Sequence, residues 1–224
     1  MSRRTAAPDG ITPELMLRAY AIGVFPMAES ADDPWLHWVE PKIRGIMPLT
    51  GLHISRSLAK VIRSDRFEIR IDHDFEAVLD ACATLHGNTW ISHRLRDLYH
   101  ALFLQGHVHT VETWQNEKLV GGLFGISLGS AFFGESMFHI ERDSSKTALA
   151  FLVARLIRGG YRLLDTQFIT PHLKSMGGIE LARDQYLSYL DDALSHTGDF
   201  NLLDRGDPQS GATVLRLLDQ CKRS

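Results

Sequence analysis

Cysteine is scarce in this chain: Cys82 and Cys221 stand far apart, with no C-x-x-C spacing. That excludes a disulfide framework, a structural zinc site and a thioredoxin-like motif, and it fits a reducing compartment. Long apolar runs are missing too. Nothing approaches the roughly 18 residues of a membrane span, and no apolar stretch follows Arg3-Arg4 as a secretory signal would require. Excess positive charge is absent: 24 Lys and Arg stand against 27 Asp and Glu, a formal net charge of -3. A uniformly basic nucleic-acid binder is thereby excluded, so any such contact has to come from a local patch. Gly121, Gly122, Gly125 and Gly129 lack the Lys-Ser/Thr of a phosphate loop. His107 and His109 alternate on a strand, but no carboxylate or cysteine follows at ligand spacing, so no metal is expected. These absences predict a soluble, cytoplasmic protein without metal or cofactor.

What is present is enough to build a core: 224 residues, 44% of them hydrophobic, suit one large domain or a small one joined to a medium one. Residues 1–48 are rich in Pro and aromatics, with a short helix over 13–22, and predict a small loop-rich subdomain. Residues 49–224 predict the main domain. Its expected order is a helix over 52–64, a strand over 67–71, helices over 74–83 and 92–105 around a Gly87-Asn88 turn, and an antiparallel meander. The meander strands run 107–114, 118–127 and 130–138. A long helix capped by Ser144 or Ser145 then reaches Gly159-Gly160, and the apolar strand Leu163-Leu164-Asp165-Thr166-Gln167-Phe168-Ile169 follows. Helices over 183–190 and 214–218 end the chain. This order predicts an α+β fold with a mixed sheet covered by helices, in the layout of the N-acetyltransferase-like superfold.

Asp165 and Gln167 share one face of an otherwise apolar strand. Burying a carboxylate and an amide together is costly unless each finds a partner, so the pair is either a satisfied polar network or poised for chemistry. Glu135, in Gly134-Glu135-Ser136-Met137-Phe138, is set among apolar neighbours and suits a cationic substrate group; an edge charge facing water is the plainer alternative. Arg56, Lys60 and Arg63 fall along one helix face, either as a phosphate-binding stripe or as an ordinary solvated surface. Gly125-Ile126-Ser127-Leu128-Gly129 matches G-x-S-x-G, yet strand-like residues follow where a nucleophile elbow needs a helix, so a hairpin is expected. Glu141-Arg142-Asp143-Ser144-Ser145-Lys146 has no glycine and two acids where a CoA-dependent acetyltransferase would cradle pyrophosphate, which weighs against that alternative.

These residues resemble the leucyl/phenylalanyl-tRNA-protein transferase family over most of the chain. The likeness rests on Ala19-Tyr20 with Gly23-Val24-Phe25-Pro26, Leu52-His53-Ile54-Ser55-Arg56-Ser57, Thr89-Trp90-Ile91, Glu112-Thr113-Trp114 with Leu119-Val120-Gly121-Gly122, Gly134-Glu135-Ser136-Met137-Phe138, Ser145-Lys146-Thr147-Ala148, Leu164-Asp165-Thr166-Gln167 and Ser175-Met176-Gly177. It implies transfer of Leu or Phe, with Met as a further donor, from the 3′ end of aminoacyl-tRNA to proteins beginning with Arg or Lys, without CoA or metal. It also implies a catalytic set of Asp165, Gln167 and Glu135, with Asp165 holding the Gln167 amide. Trp90 is then a stacking platform for the terminal adenine, or plain packing. Leu123, Phe132, Leu149, Leu156 and Leu164 become candidates for the apolar pocket, or plain core, and the 56/60/63 stripe becomes the tRNA contact. Met27 stands where many relatives have tryptophan, and the N-terminus lacks their longer leader. A monomer is expected.

Overall fold

Short polar residues ahead of apolar periodic runs start most of the helices. Thr12, Ser55, Asp74, Ser92, Thr170 and Ser210 each accept a hydrogen bond from the backbone N–H three residues on, which satisfies an otherwise orphaned donor. They open α1 (Pro13–Ala21), α2 (Arg56–Arg63), α3 (Phe75–Thr84), α4 (His93–Leu104), α6 (Pro171–Ser175) and α8 (Gly211–Cys221). Ser55 thus shortens the helix expected over 52–64. The remaining helices are α5 (Ser144–Arg158) and α7 (Arg183–Leu194). The computed structural model describes residues 3–4, 10–85, 89–205 and 210–222; the expected Gly87-Asn88 turn lies outside them.

Neither Ser144 nor Ser145 caps α5. Asp143 holds the cap position in a left-handed conformation, φ 68°, without a side-chain capping bond. Ser144 Oγ instead donates to the carbonyls of Val120 (2.9 Å) and Glu141 (2.7 Å). A Cβ on Gly121 would lie 2.2 Å from that oxygen, so only glycine lets the helix start press onto the sheet.

A small antiparallel sheet of order β1-β3-β2 joins β1 (Arg3–Arg4), β2 (Phe25–Met27) and β3 (His37–Val39). The large sheet contains β4 (Ile43–Ile46), β5 (Glu68–Ile71), β6 (Val108–Gln115), β7 (Lys118–Leu128), β8 (Ala131–His139), β9 (Leu163–Gln167) and β10 (Ile179–Ala182). Its order is β10-β4-β9-β8-β7-β6-β5, antiparallel throughout except for β8 beside β9. The expected mixed sheet and meander are therefore present. Asn116 and Glu117, at φ 51° and 58°, make the tight turn between β6 and β7, the primed type that suits twisted strands. Gly125 through Ala131 pass from β7 into β8 as a hairpin, with no elbow.

One face of the sheet packs with α1, α3, α4 and α7 around Tyr20, Tyr99, Phe124 and Phe133. The other packs with α2, α5 and α8 around Leu58, Leu123, Phe132 and Leu164. Met16, Phe25 and Leu36 of the N-terminal segment belong to the first of these cores. β4 and β10 were not expected: Pro41 and Pro48 disguise four sheet residues as loop, and only Leu181 of β10 is buried. α7 and α8 extend beyond the residues predicted for them. Both cysteines are free, and burial pushes the Cys82 thiol up to about 12. Among the described residues no helix is long and apolar enough to cross a membrane.

Candidate active site

β8 and β9 pair from Ala131–Leu163 to Phe133–Asp165 and then part, although β8 continues to His139. An irregularity sits on each strand at this fork. Gly125 faces Gly134 and Phe124 faces Ser136, which leaves Glu135 as the extra residue of a bulge on β8. Gly45 faces Gln167 and Ile46 faces Asp165, which leaves Thr166 extra on β9. Bulges bend a strand and re-aim its side chains, and here they open the sheet.

The opening is a cavity of about 580 Å³. Leu123 and Phe124 of β7, Met137 of β8, Leu149 and Leu152 of α5, Leu164 of β9, and Phe25, Met27 and Trp90 give it apolar walls. Glu135 and Gln167 supply polar groups, with His139 and His172 also in the lining. Trp90 meets Tyr99 edge to face at 6.5 Å and contributes to the wall. Phe132 and Leu156, expected beside the other pocket leucines, are not in it. Both are fully buried, and Phe132 stacks on Phe200 at 5.6 Å, so they are core.

Asp165 is also not in the wall. It is 0% exposed and sits behind the fork, where Arg44 clasps it: Nε lies 2.9 Å from Oδ1 and Nη2 2.7 Å from Oδ2. Tyr186 donates its hydroxyl to Oδ2 at 2.6 Å, and the backbone N–H of Gln167 donates to Oδ1 at 2.8 Å. Arg44 is 1% exposed and lies over the Phe25 and Tyr186 rings, at 4.5 and 4.8 Å. Such a pair is tolerated in a dry interior because each of its nitrogens and oxygens has a hydrogen-bond partner, with Arg44 Nη1 donating to the Gly23 carbonyl at 3.1 Å.

The expectation that Asp165 and Gln167 both open onto a cleft is therefore corrected: both lie toward the core of Tyr20, Tyr99 and Tyr186, and only Gln167 reaches the cavity. The strand ends at Gln167, which has φ 54°, and the Phe168 N–H bonds to the Thr166 carbonyl at 2.6 Å, closing a tight turn around Gln167. A left-handed glutamine is uncommon and strained, and such strain concentrates at functional sites. The turn needs Gly45 opposite, where a Cβ would come within 2.9 Å of the Phe168 carbonyl carbon.

The turn throws the Gln167 side chain toward Glu135. Its Nε2 donates to Glu135 Oε1 at 3.3 Å, and the Tyr99 hydroxyl donates to Oε2 at 2.8 Å. The amide expected to rest on Asp165 is thus held by Glu135. Tyr20 Oη, buried and without a hydrogen bond of good geometry, faces the same carboxylate. Burial drives the Glu135 carboxyl up, Tyr99 and Tyr20 draw it down, the Asp165 charge raises it and Arg44 lowers it; the balance is about 7. His172 is held below the usual histidine range by burial, then by Lys146 and His139.

Arg56, Lys60 and Arg63 are exposed on α2 outside the cavity, and none forms an ion pair with a described residue. α2 packs against α5, the helix that walls the cavity. Arg44, Tyr99 and Tyr186 were not foreseen as site residues. A buried Asp demands a cation, and that demand was the one signal for Arg44.

The fold and cleft together define an α+β protein with an enzyme-type site: an apolar chamber, a carboxylate able to exchange a proton near neutral pH, and a carboxamide at its head. Residues 46–191 match the family described as leucyl/phenylalanyl-tRNA protein transferase, and residues 9–42 match that family's N-terminal domain. Curated relatives called leucyl/phenylalanyl-tRNA–protein transferase include those of Rhodopseudomonas palustris (strain HaA2), 53% identical over 97% of this chain and 99% of the relative, and of Afipia carboxidovorans, 56% identical over 97% of each. That of Nitrobacter winogradskyi is 54% identical over 97% of this chain and 98% of its own. A solved structure of a functionally unknown conserved protein from Staphylococcus epidermidis aligns only distantly, with TM-score 0.40 and 11% identity over 81% of this chain and 68% of that one. This chain belongs to the leucyl/phenylalanyl-tRNA protein transferase family.

Proposed function

We propose that the protein moves Leu or Phe, and Met, from the 3′ end of aminoacyl-tRNA to the α-amino group of proteins beginning with Arg or Lys, which creates an N-degron. The observation that carries this reading is the meeting of Glu135 and Gln167 in a mainly apolar cavity. A Leu or Phe side chain rests against Leu123, Leu149 and Leu164, with each missing methylene costing roughly 1–3 kcal/mol, and the terminal adenine lies against Trp90 and Met27.

An aminoacyl ester is already reactive toward amines, so holding nitrogen and carbonyl about 3 Å apart supplies much of the acceleration. Glu135 engages Nε2 of Gln167, which leaves the carboxamide oxygen to accept from the neutral amine. As the N–C bond forms and the ester C–O bond breaks, Glu135 takes the ammonium proton and passes it to the departing ribose oxygen. No metal or coenzyme enters this sequence. Asp165 acts as a positioning residue, fixing the turn through the Gln167 N–H.

We further read the large sheet, forked at a parallel strand pair, as acetyltransferase-like. Residues 1–48 are then a small subdomain seated on residues 49–224, with β4 given to the larger sheet. The protein acts in the cytoplasm as a monomer. The Arg56, Lys60 and Arg63 stripe takes tRNA phosphates, so binding weakens as salt rises.

Radiolabelled Leu-tRNA or Phe-tRNA mixed with a peptide starting with Arg is expected to label it, and a peptide starting with Ala to stay unlabelled. Equal labelling, or none, overturns the reading. Neutralising the three stripe residues flattens the salt dependence of tRNA binding; an unchanged slope removes them from the interface.

The Glu135 carboxyl near 7 sets a pH limb. Below it the group keeps its proton and cannot receive another, so Glu135 by itself lowers transfer at pH 6 about tenfold, on top of the loss from protonating the acceptor amine. Glu135→Gln should lower the plateau and abolish this limb, leaving that of the acceptor amine, ordinarily about 7.7–8.0. An unchanged profile rules out the proton-accepting role. Stability runs the other way: between the ordinary carboxylate range and about 7 only the folded state holds this proton, so stability falls as pH rises across that window.

A further inference from the structure

A second cavity, of about 390 Å³, opens on the far side of the Gln167–Phe168 turn. Ile43 and Gly45 of β4, Phe168, Ile169 and Glu180 of β10 form it, with Lys42 at one end. Phe168 lines both cavities, so its ring is the wall between them. At the opening, Ile43 and Phe168 are 50% and 49% exposed, large apolar side chains turned to solvent beside Ile169. Glu180 is exposed and forms no ion pair with a described residue. Among the described residues β10 pairs with β4 alone and forms the edge of the large sheet. Gly45 lets Ile169 and the Phe168 backbone press directly onto β4 at the groove wall, where a Cβ would come within 2.9 Å of both.

Transfer brings two macromolecules to one carbonyl carbon. The first cavity receives the aminoacyl end, so the acceptor chain has to leave the reacting nitrogen by another route. We propose that the second cavity is this route, an extended groove for the acceptor polypeptide behind its first residue. An apolar side chain at the second or third position lies on Ile43, Phe168 and Ile169, and a basic side chain further along faces Glu180. Such use of a sheet edge and its pockets is a recurrent way to hold an extended peptide. An apolar wall ending in a free carboxylate disfavours the other large substrate, a phosphate backbone. The inference rests on the transfer reading above and adds the site that holds the acceptor.

The test uses full-length protein with Phe-tRNA and two acceptors, argininamide and the tetrapeptide Arg-Leu-Leu-Lys. Ile43→Thr combined with Glu180→Gln is expected to raise KM for the tetrapeptide about tenfold, with kcat unchanged. KM for argininamide and the affinity for tRNA should stay as they were, which also shows that the variant is folded. Equal KM changes for both acceptors, or none for either, overturn the groove. If light scattering finds a dimer that Ile43→Thr dissolves, the occupant is a second copy of this chain and the proposal fails. Absence of transfer to either acceptor by the unsubstituted protein overturns the transfer reading itself, and the groove with it.

Discussion

Gln167→Ala is expected to slow aminoacyl transfer by roughly a hundredfold or more, with tRNA affinity nearly unchanged. Removing one preorganised hydrogen-bonding group at a reacting centre typically costs about 2.7–4 kcal/mol of barrier. Gln167 is such a group, anchored at its side chain by Glu135 and at its backbone by Asp165. Binding should survive because the cavity walls are Leu, Met, Phe and Trp side chains that the substitution leaves in place. Alanine tolerates a positive φ about as poorly as glutamine does, so the turn itself should suffer little. Single-turnover transfer beside equilibrium tRNA binding checks this; normal turnover would remove the carboxamide from the chemistry.

Asp165→Ala should have the largest effect on stability. It strips the partner from Arg44, a guanidinium 1% exposed, and leaving one member of a buried pair alone costs about 3–5 kcal/mol. For a domain of this size that corresponds to a drop of roughly 10 °C in Tm. Asp165→Leu combined with Arg44→Met should be more stable than Asp165→Ala, since no orphaned charge remains. Transfer should nevertheless stay low in the combined variant, because the Gln167 N–H has lost its acceptor and the turn its anchor. Thermal melts read beside activity separate these roles. A combined variant as active as the parent would show that the ion pair contributes only stability.

Sequence pattern revealed most of the elements and little of the site's wiring. The meander was legible from its runs of β-branched and aromatic residues joined by tight turns such as Asn116-Glu117, although β6 and most of β7 are buried on both faces. β4 was hidden because its four residues lie between prolines, and β10 because its edge position leaves three of four residues outside the core. Asp165 and Gln167 stood out as polar residues in an apolar strand, yet the alternation rule placed them on one face. Pattern alone could not tell that Arg44 and Tyr186 seal off Asp165 while Gln167 reaches open space, and no local sequence signal demands the left-handed turn at Gln167. Phe132 and Leu156 show the complementary limit. They are as apolar as Leu123 and Leu149, and only the fork between β8 and β9 decides which apolar side chains meet open space.

The turn at Gln167 also constrains any attempt to re-engineer this protein for other amino-acid donors. Asparagine accepts the left-handed backbone more readily, but it is one methylene shorter and would draw the carboxamide back by roughly 1.5 Å, away from Glu135. Position 45 opposite admits only glycine. Mutant libraries should therefore leave 45 and 167 fixed and diversify Leu123, Met137 and Leu149, where shape changes without disturbing the hinge of the chemistry.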